Sequence, residues 1–188
     1  MGKITCPSHK EADVKYQGIG NESLIGSRKI RAIQIEPFGT FNDYVSFYFG
    51  SRSPMLYSIK NGYNGVTKRS QAEIIYLIVT FESVKNMGLK YVFFDGHGYH
   101  NFSRVYNTET GLGQIDWNAV NTKQWSDTED DPDKKRRKQA EFLIHNEVPV
   151  EVIASIGVYN EEVKKLIESL LERLNISIKV FVFNGGYY

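Results

Sequence analysis

The chain has 188 residues, 41% hydrophobic and 13% aromatic, which suits one packed domain and excludes a disordered polymer. Its 23 Lys and Arg almost balance 22 Asp and Glu, for a formal net charge of +1, so any nucleic-acid affinity has to come from local patches and not from a global field. The single Cys6 excludes an internal disulfide, and neither a membrane-spanning apolar run of ~20 residues nor a signal-peptide layout is present, which sets a reducing, cytoplasmic location as the expectation.

In chain order, the first chemically marked segment is IGSRKIR at 25–31, where Arg28, Lys29 and Arg31 gather beside a glycine. A guanidinium grips phosphate oxygens in a bidentate fork, so this segment reads either as a phosphate clamp or as a solvated basic loop. DYVSFYFG at 43–50, rich in β-branched and aromatic residues, reads as a core strand. Pro54 then suits a helix first turn, while Asn61-Gly62 and Asn64-Gly65 signal turns, so a short helix and a loop are expected up to residue 71. EIIYLIVTF at 73–81 and KYVFFDG at 90–96 read as further strands.

Just past the second of these strands, DGHGYH at 95–100 displays His97 between two glycines, where loops often present reactive groups. The competing reading is a histidine bonded to nearby backbone. Asp95, His97 and His100 make only a weak zinc signature, with two histidines close in sequence and no cysteine near them. Further on, NEEVKKLIESLLERLN at 160–175 spaces Val163, Leu166, Ile167, Leu170, Leu171 and Leu174 at three and four residues behind an Asn160 cap, which predicts an amphipathic helix. SIKVFVFN at 177–184 follows as a strand. Strands and helices mixed in this way indicate an α+β or mixed α/β domain, and the absence of GxGxxG and GxxxxGK[ST] disfavours a Rossmann or P-loop site.

The richest stretch is IDWNAVNTKQWSDTEDDPDKKRRKQAEFLIH at 115–145. Asp127, Glu129, Asp130, Asp131 and Asp133 precede five consecutive cations at 134–138, and these lead into an apolar segment carrying Glu141. A carboxylate among Ala140, Phe142, Leu143 and Ile144 is expected to be partly buried, which costs free energy unless the group is paired or used. Glu141 is therefore either a catalytic acid or the salt-bridged member of an Asp-capped helix with a solvated basic face.

Taken together, GTFNDYVSFYFGSRSPMLY at 39–57, FFDGHGY at 93–99, the 115–145 stretch and the closing Tyr187-Tyr188 resemble, in this order, the DarT family. Its members are DNA ADP-ribosyltransferase toxins paired with a DarG macrodomain antitoxin, and the resemblance runs from about Cys6 to the last residue. It implies a single α+β domain over 1–188, with an ADP-ribosyltransferase-like split mixed β-sheet and flanking helices. It also implies NAD as co-substrate, no metal and no membrane, thymine-type bases of single-stranded DNA as acceptor, and a DarG-like antitoxin as partner.

By the same resemblance Glu141 is the acid of the family's QAE motif, His97 the histidine after the third strand and Arg28 the arginine of the Ile-Gly/Lys-x-Arg segment. These three are expected to be catalytic, with Arg28, Ser8 and Tyr48 at the cofactor. The segment 124–138 resembles the loop that shapes the target-base pocket. Lys135, Arg136 and Arg137 would then neutralise the DNA backbone, and Trp125 would stack. One departure stands out: the family's N-terminal segment, with a strand and a histidine that contacts NAD, has no counterpart ahead of MGKITCPSH, and Ser8 replaces an expected asparagine. An alternative is thus a catalytically impaired single-stranded DNA-binding module, and a second is a plain NAD hydrolase.

Overall fold

The structure, a computed structural model, describes residues 2–188. In chain order its elements are β1 (Lys3–Thr5), α1 (Glu22–Lys29), β2 (Tyr44–Tyr48), α2 (Pro54–Asn61), β3 (Tyr76–Val79), α3 (Phe81–Asn86), β4 (Tyr91–Phe94), β5 (Val105–Tyr106), α4 (Trp117–Asn121), α5 (Lys134–Lys138), β6 (Glu141–His145), β7 (Glu147–Pro149), β8 (Ile153–Val158), α6 (Glu161–Arg173) and β9 (Lys179–Val182). An antiparallel sheet of order β2-β6-β4-β5, a second sheet of order β3-β8-β9 and a β1-β7 pair give the mixed α+β architecture expected from the sequence.

The apolar run after the basic block is the central strand of the first sheet. β6 lies between β2 and β4, with Phe142 and Ile144 in one core cluster and Leu143 in the other, opposite sides alternating as a strand requires. Apolar on both faces, the segment lacks the polar alternation that marks a half-exposed strand. α5 accordingly covers only the five cations at 134–138, and Glu141 opens a strand instead of continuing a helix.

The segment read as a basic loop is also regular: α1 spans 22–29, capped by the Asn21 carboxamide oxygen, which accepts from Leu24 N at 2.9 Å. β8, IASIGV, is a strand the composition did not flag. Its Gly157 is needed for space, because a Cβ there would lie 3.1 Å from Phe183. At 54–61 the expected helix forms, with Ser53 as its cap, Pro54 in its first turn and Gly62 in the left-handed region that ends it (φ 73°).

β8 and β9 run parallel, so the chain must cross over between them, and α6 provides the crossover. Val163, Ile167 and Leu171 of α6 pack on Ile156, Val158 and Val180. Leu166, Leu170 and Leu174, expected on the same stripe, face solvent, because the apolar arc is wider than the sheet beneath it.

Candidate active site

Glu141 stands in register with Tyr48, the last residue of β2, and with Phe94, the last residue of β4. Its side chain therefore emerges where both neighbouring strands leave the sheet, yet it is only 2% exposed. Arg28, in the last turn of α1, donates through Nη1 to Oε1 at 2.8 Å and through Nη2 to Oε2 at 2.5 Å, a bidentate pair. The Gly98 N–H donates to Oε1 at 3.0 Å. On the other side the Arg28 guanidinium lies 4.3 Å above the centre of the Phe41 ring. Burial raises the Tyr48 hydroxyl well above the ordinary tyrosine range, and the Glu141 charge adds to the effect against the opposing pull of Arg28.

The loop after β4 reaches this carboxylate because two positions carry no side chain. A Cβ at Gly96 would meet the Arg136 carbonyl oxygen at 2.9 Å, and one at Gly98 would meet the Phe41 ring at 2.9 Å. His97, between them, donates its backbone N–H to the Arg136 carbonyl at 2.9 Å, leaving its imidazole in the cleft. Burial pushes that imidazole below the usual histidine range, with Glu141 raising it and Arg28 lowering it. This favours the neutral form of His97.

The basic block does not face outward as expected. Arg136 grips both oxygens of Asp133 at 2.7 Å and also donates to Asp95 at 2.9 Å and to the Ser103 hydroxyl at 3.1 Å. Arg137 pairs with Asp116 and Asp131. The guanidiniums of these two arginines, expected on a DNA backbone, are paired with the acids that precede them and knit the loop together. Lys138 is 3% exposed, and its Nζ donates to the carbonyls of Ser51 at 2.9 Å and Val120 at 2.6 Å. Burial lowers its pKa to about 8.

Lys135 remains exposed, its Nζ 5.9 Å from the centre of the Trp125 ring. Trp125 is itself fixed: its Nε1 donates to the Tyr188 hydroxyl at 2.7 Å, and its ring meets Tyr57 edge-on at 5.5 Å. The Tyr188 hydroxyl passes the bond on to the Arg52 carbonyl. Ser8 is not brought to the Arg28–Glu141 pair. Its hydroxyl donates to Asp43 at 2.6 Å, just ahead of β2, whereas Glu141 stands beside the far end of that strand. Among the described residues, no three His, Cys, Asp or Glu side chains gather as a metal site, and no helix is long and apolar enough to cross a membrane.

Of the residues singled out in the sequence, the fold brings Glu141, Arg28, His97 and Tyr48 together, and around them it places Phe41, the Gly98 N–H and Lys138, which the sequence did not single out. Phe41 lay inside the GTFND motif, whereas a backbone donor and a buried lysine leave no mark in composition.

A family model described as "ssDNA thymidine ADP-ribosyltransferase, DarT" matches residues 2–188. A protein of Escherichia coli O127:H6 named DNA ADP-ribosyl transferase is 36% identical over 170 residues, 90% of this chain and 78% of that protein. Among solved structures, Thermus sp. 2.9 DarT in complex with ADP-ribosylated ssDNA superposes with a TM-score of 0.91, at 30% identity over 100% of this chain and 88% of that one. The same protein in complex with NAD+ superposes with a TM-score of 0.85, at the same identity and coverage. With a family match over all the described residues and a relative above 30% identity, this chain belongs to the DarT family.

Proposed function

We propose that the chain transfers ADP-ribose from NAD+ to thymine-type bases in single-stranded DNA, as the toxin of a toxin–antitoxin pair whose antitoxin is a DarG-like macrodomain protein. The observation that carries this reading is the buried Arg28–Glu141 pair at the strand ends, with the His97 imidazole in the cleft beside it. The residues fit a dinucleotide: Arg28 spends two of its N–H groups on Glu141 and keeps others for a phosphate, and Phe41 supports its guanidinium from beneath. NAD+ supplies an ADP-ribosyl group whose bond to nicotinamide breaks.

Glu141 faces the positive charge that develops on the ribose, in a site where water is largely excluded and electrostatic stabilisation is strong. Arg28 holds that carboxylate in place and orients the pyrophosphate. His97 takes the proton that the attacking base nitrogen gives up as it bonds to the ribose carbon, while nicotinamide leaves with the electron pair of the broken bond. Lys135 and Trp125, at the rim, meet the DNA strand, and Arg136 and Arg137 keep the loop in shape for it. The test is incubation of the purified chain with NAD+ and a mixed-sequence single-stranded oligonucleotide, read by DNA mass, with Glu141→Ala alongside. Addition of ADP-ribose by the parent and none by the variant is expected. Unmodified DNA from the folded parent, or undiminished modification by the variant, would overturn the reading.

A further inference from the structure

Beside His97 lies an open cleft of about 720 Å³, lined by Arg31, His97, Tyr99, His100, Asn101 and Phe102 and large enough for a nucleotide. We propose that its wall, residues 99–102, is the stacking platform for the nucleotide adjacent to the modified base in single-stranded DNA, a subsite that rests on the transferase reading.

Three observations carry this. Phe102 is 78% exposed, yet it sits on a turn held from within: His100 N donates to the His97 carbonyl at 2.8 Å, Ser103 Oγ to the same carbonyl at 2.7 Å, and Phe102 N to His100 Nδ1 at 3.3 Å. An aromatic ring presented to water by a fixed turn is surface prepared for a partner, and fixing it in advance lowers the entropy lost on binding. Second, aromatic faces alternate with basic side chains. The Arg31 guanidinium lies 5.1 Å from the centre of the Tyr99 ring, and His100 leans on Phe102 at 5.4 Å. Among the described residues no acid lines the cleft. Bases stack on such faces whatever their sequence, and the backbone follows the cations.

The third observation is position. His97 lines this cleft and also senses Glu141, and the next residue, Gly98, donates its N–H to that carboxylate. A strand whose target base reaches Glu141 therefore lays its neighbouring nucleotide over Tyr99 and Phe102. Arg31, anchored by a 3.2 Å bond from its Nη1 to Asn101, is placed to meet the intervening phosphate.

The experiment uses an oligonucleotide with one target thymine and, in turn, an abasic nucleotide on each side of it. Phe102→Ala removes an exposed ring and leaves the fold untouched, and Tyr99→Ala is the second variant. On the intact oligonucleotide each variant should raise the DNA KM about ten- to hundredfold, the factor a base–aromatic stack is worth. One abasic position should weaken the parent by the same factor and erase the effect of Phe102→Ala. An effect of Phe102→Ala that survives both abasic substitutions would overturn the proposal. So would a KM rise confined to NAD+, which would give the platform to the adenine, and so would an unchanged DNA KM in both variants. Oligonucleotide binding measured by anisotropy without NAD+ separates the two claims: if the parent modified no DNA but Phe102→Ala still weakened binding in the abasic-sensitive way, the platform would stand and the transferase reading would fall.

Discussion

Removing either member of the buried Arg28–Glu141 pair should cost far more than removing both. In Arg28→Met, a carboxylate that is 2% exposed keeps the Gly98 N–H at 3.0 Å but loses both guanidinium bonds. In Glu141→Gln, a guanidinium whose side chain is 16% exposed faces a neutral amide. Each change strands a desolvated charge, and such losses run to about 3–5 kcal/mol. The double variant strands none, because methionine fills much of the arginine's volume against Phe41 and the amide still accepts from Gly98. Its loss should be about 2 kcal/mol, which leaves a coupling energy of roughly 6 kcal/mol between the positions. Urea denaturation of the four proteins at pH 7, with common slopes, measures this directly. Losses that simply add, within about 0.5 kcal/mol, would refute the claim that the two groups are stabilised by each other.

Three further outcomes follow from the surroundings of the pair. Lys138 is protonated up to pH about 8 in the folded chain but up to about 10.5 when unfolded, so the folded state releases its proton first. Stability should therefore rise by ~3 kcal/mol between these two values, a gain present above the unfolded pKa and lost as pH falls through about 8. Denaturation at pH 7.5 and pH 10 should show the rise in the parent, and Lys138→Met should abolish it. The His97 imidazole should titrate below 6.5 by NMR, and lower still in Glu141→Gln, which removes the charge that raises it; an upward move would contradict the geometry. Its share of stability is present above pH 6.5 and lost as pH falls through the depressed value. Finally, Gly98→Ala places a methyl group 2.9 Å from the Phe41 ring and should cost about 1–3 kcal/mol in thermal unfolding while slowing DNA modification.

How far the residues disclosed this arrangement depended on the range of the physics involved. Local signals read correctly: Pro54 and Gly62 bracket α2, Asn160 caps α6, and the aromatic run at 44–48 is a strand. Glu141 could be singled out because a carboxylate among apolar neighbours is anomalous wherever it lies. Its partner could not be found that way, since Arg28 sits 113 residues away and only the pairing of β6 between β2 and β4 brings the carboxylate within its reach. β6 escaped because a strand buried on both faces has no alternation to detect. The arginines of α5 misled for the opposite reason: consecutive like charges read as solvated, but the acids just upstream fold back onto them. Family resemblance located Arg28 and His97, whereas the inward turn of Arg136 and Arg137 is a matter of side-chain geometry.

That inward turn has a consequence for how the chain responds to its ionic surroundings. A cation that already holds a carboxylate carries no net field to trade with a phosphate, so Arg136 and Arg137 displace few condensed counterions when a strand arrives. Affinity carried by rings instead of by neutralised phosphates should change little between dilute and concentrated salt. A plot of log affinity against log salt should therefore have a slope near one or two cations, such as the exposed Lys135 and the half-buried Arg31, and well short of the five at 134–138.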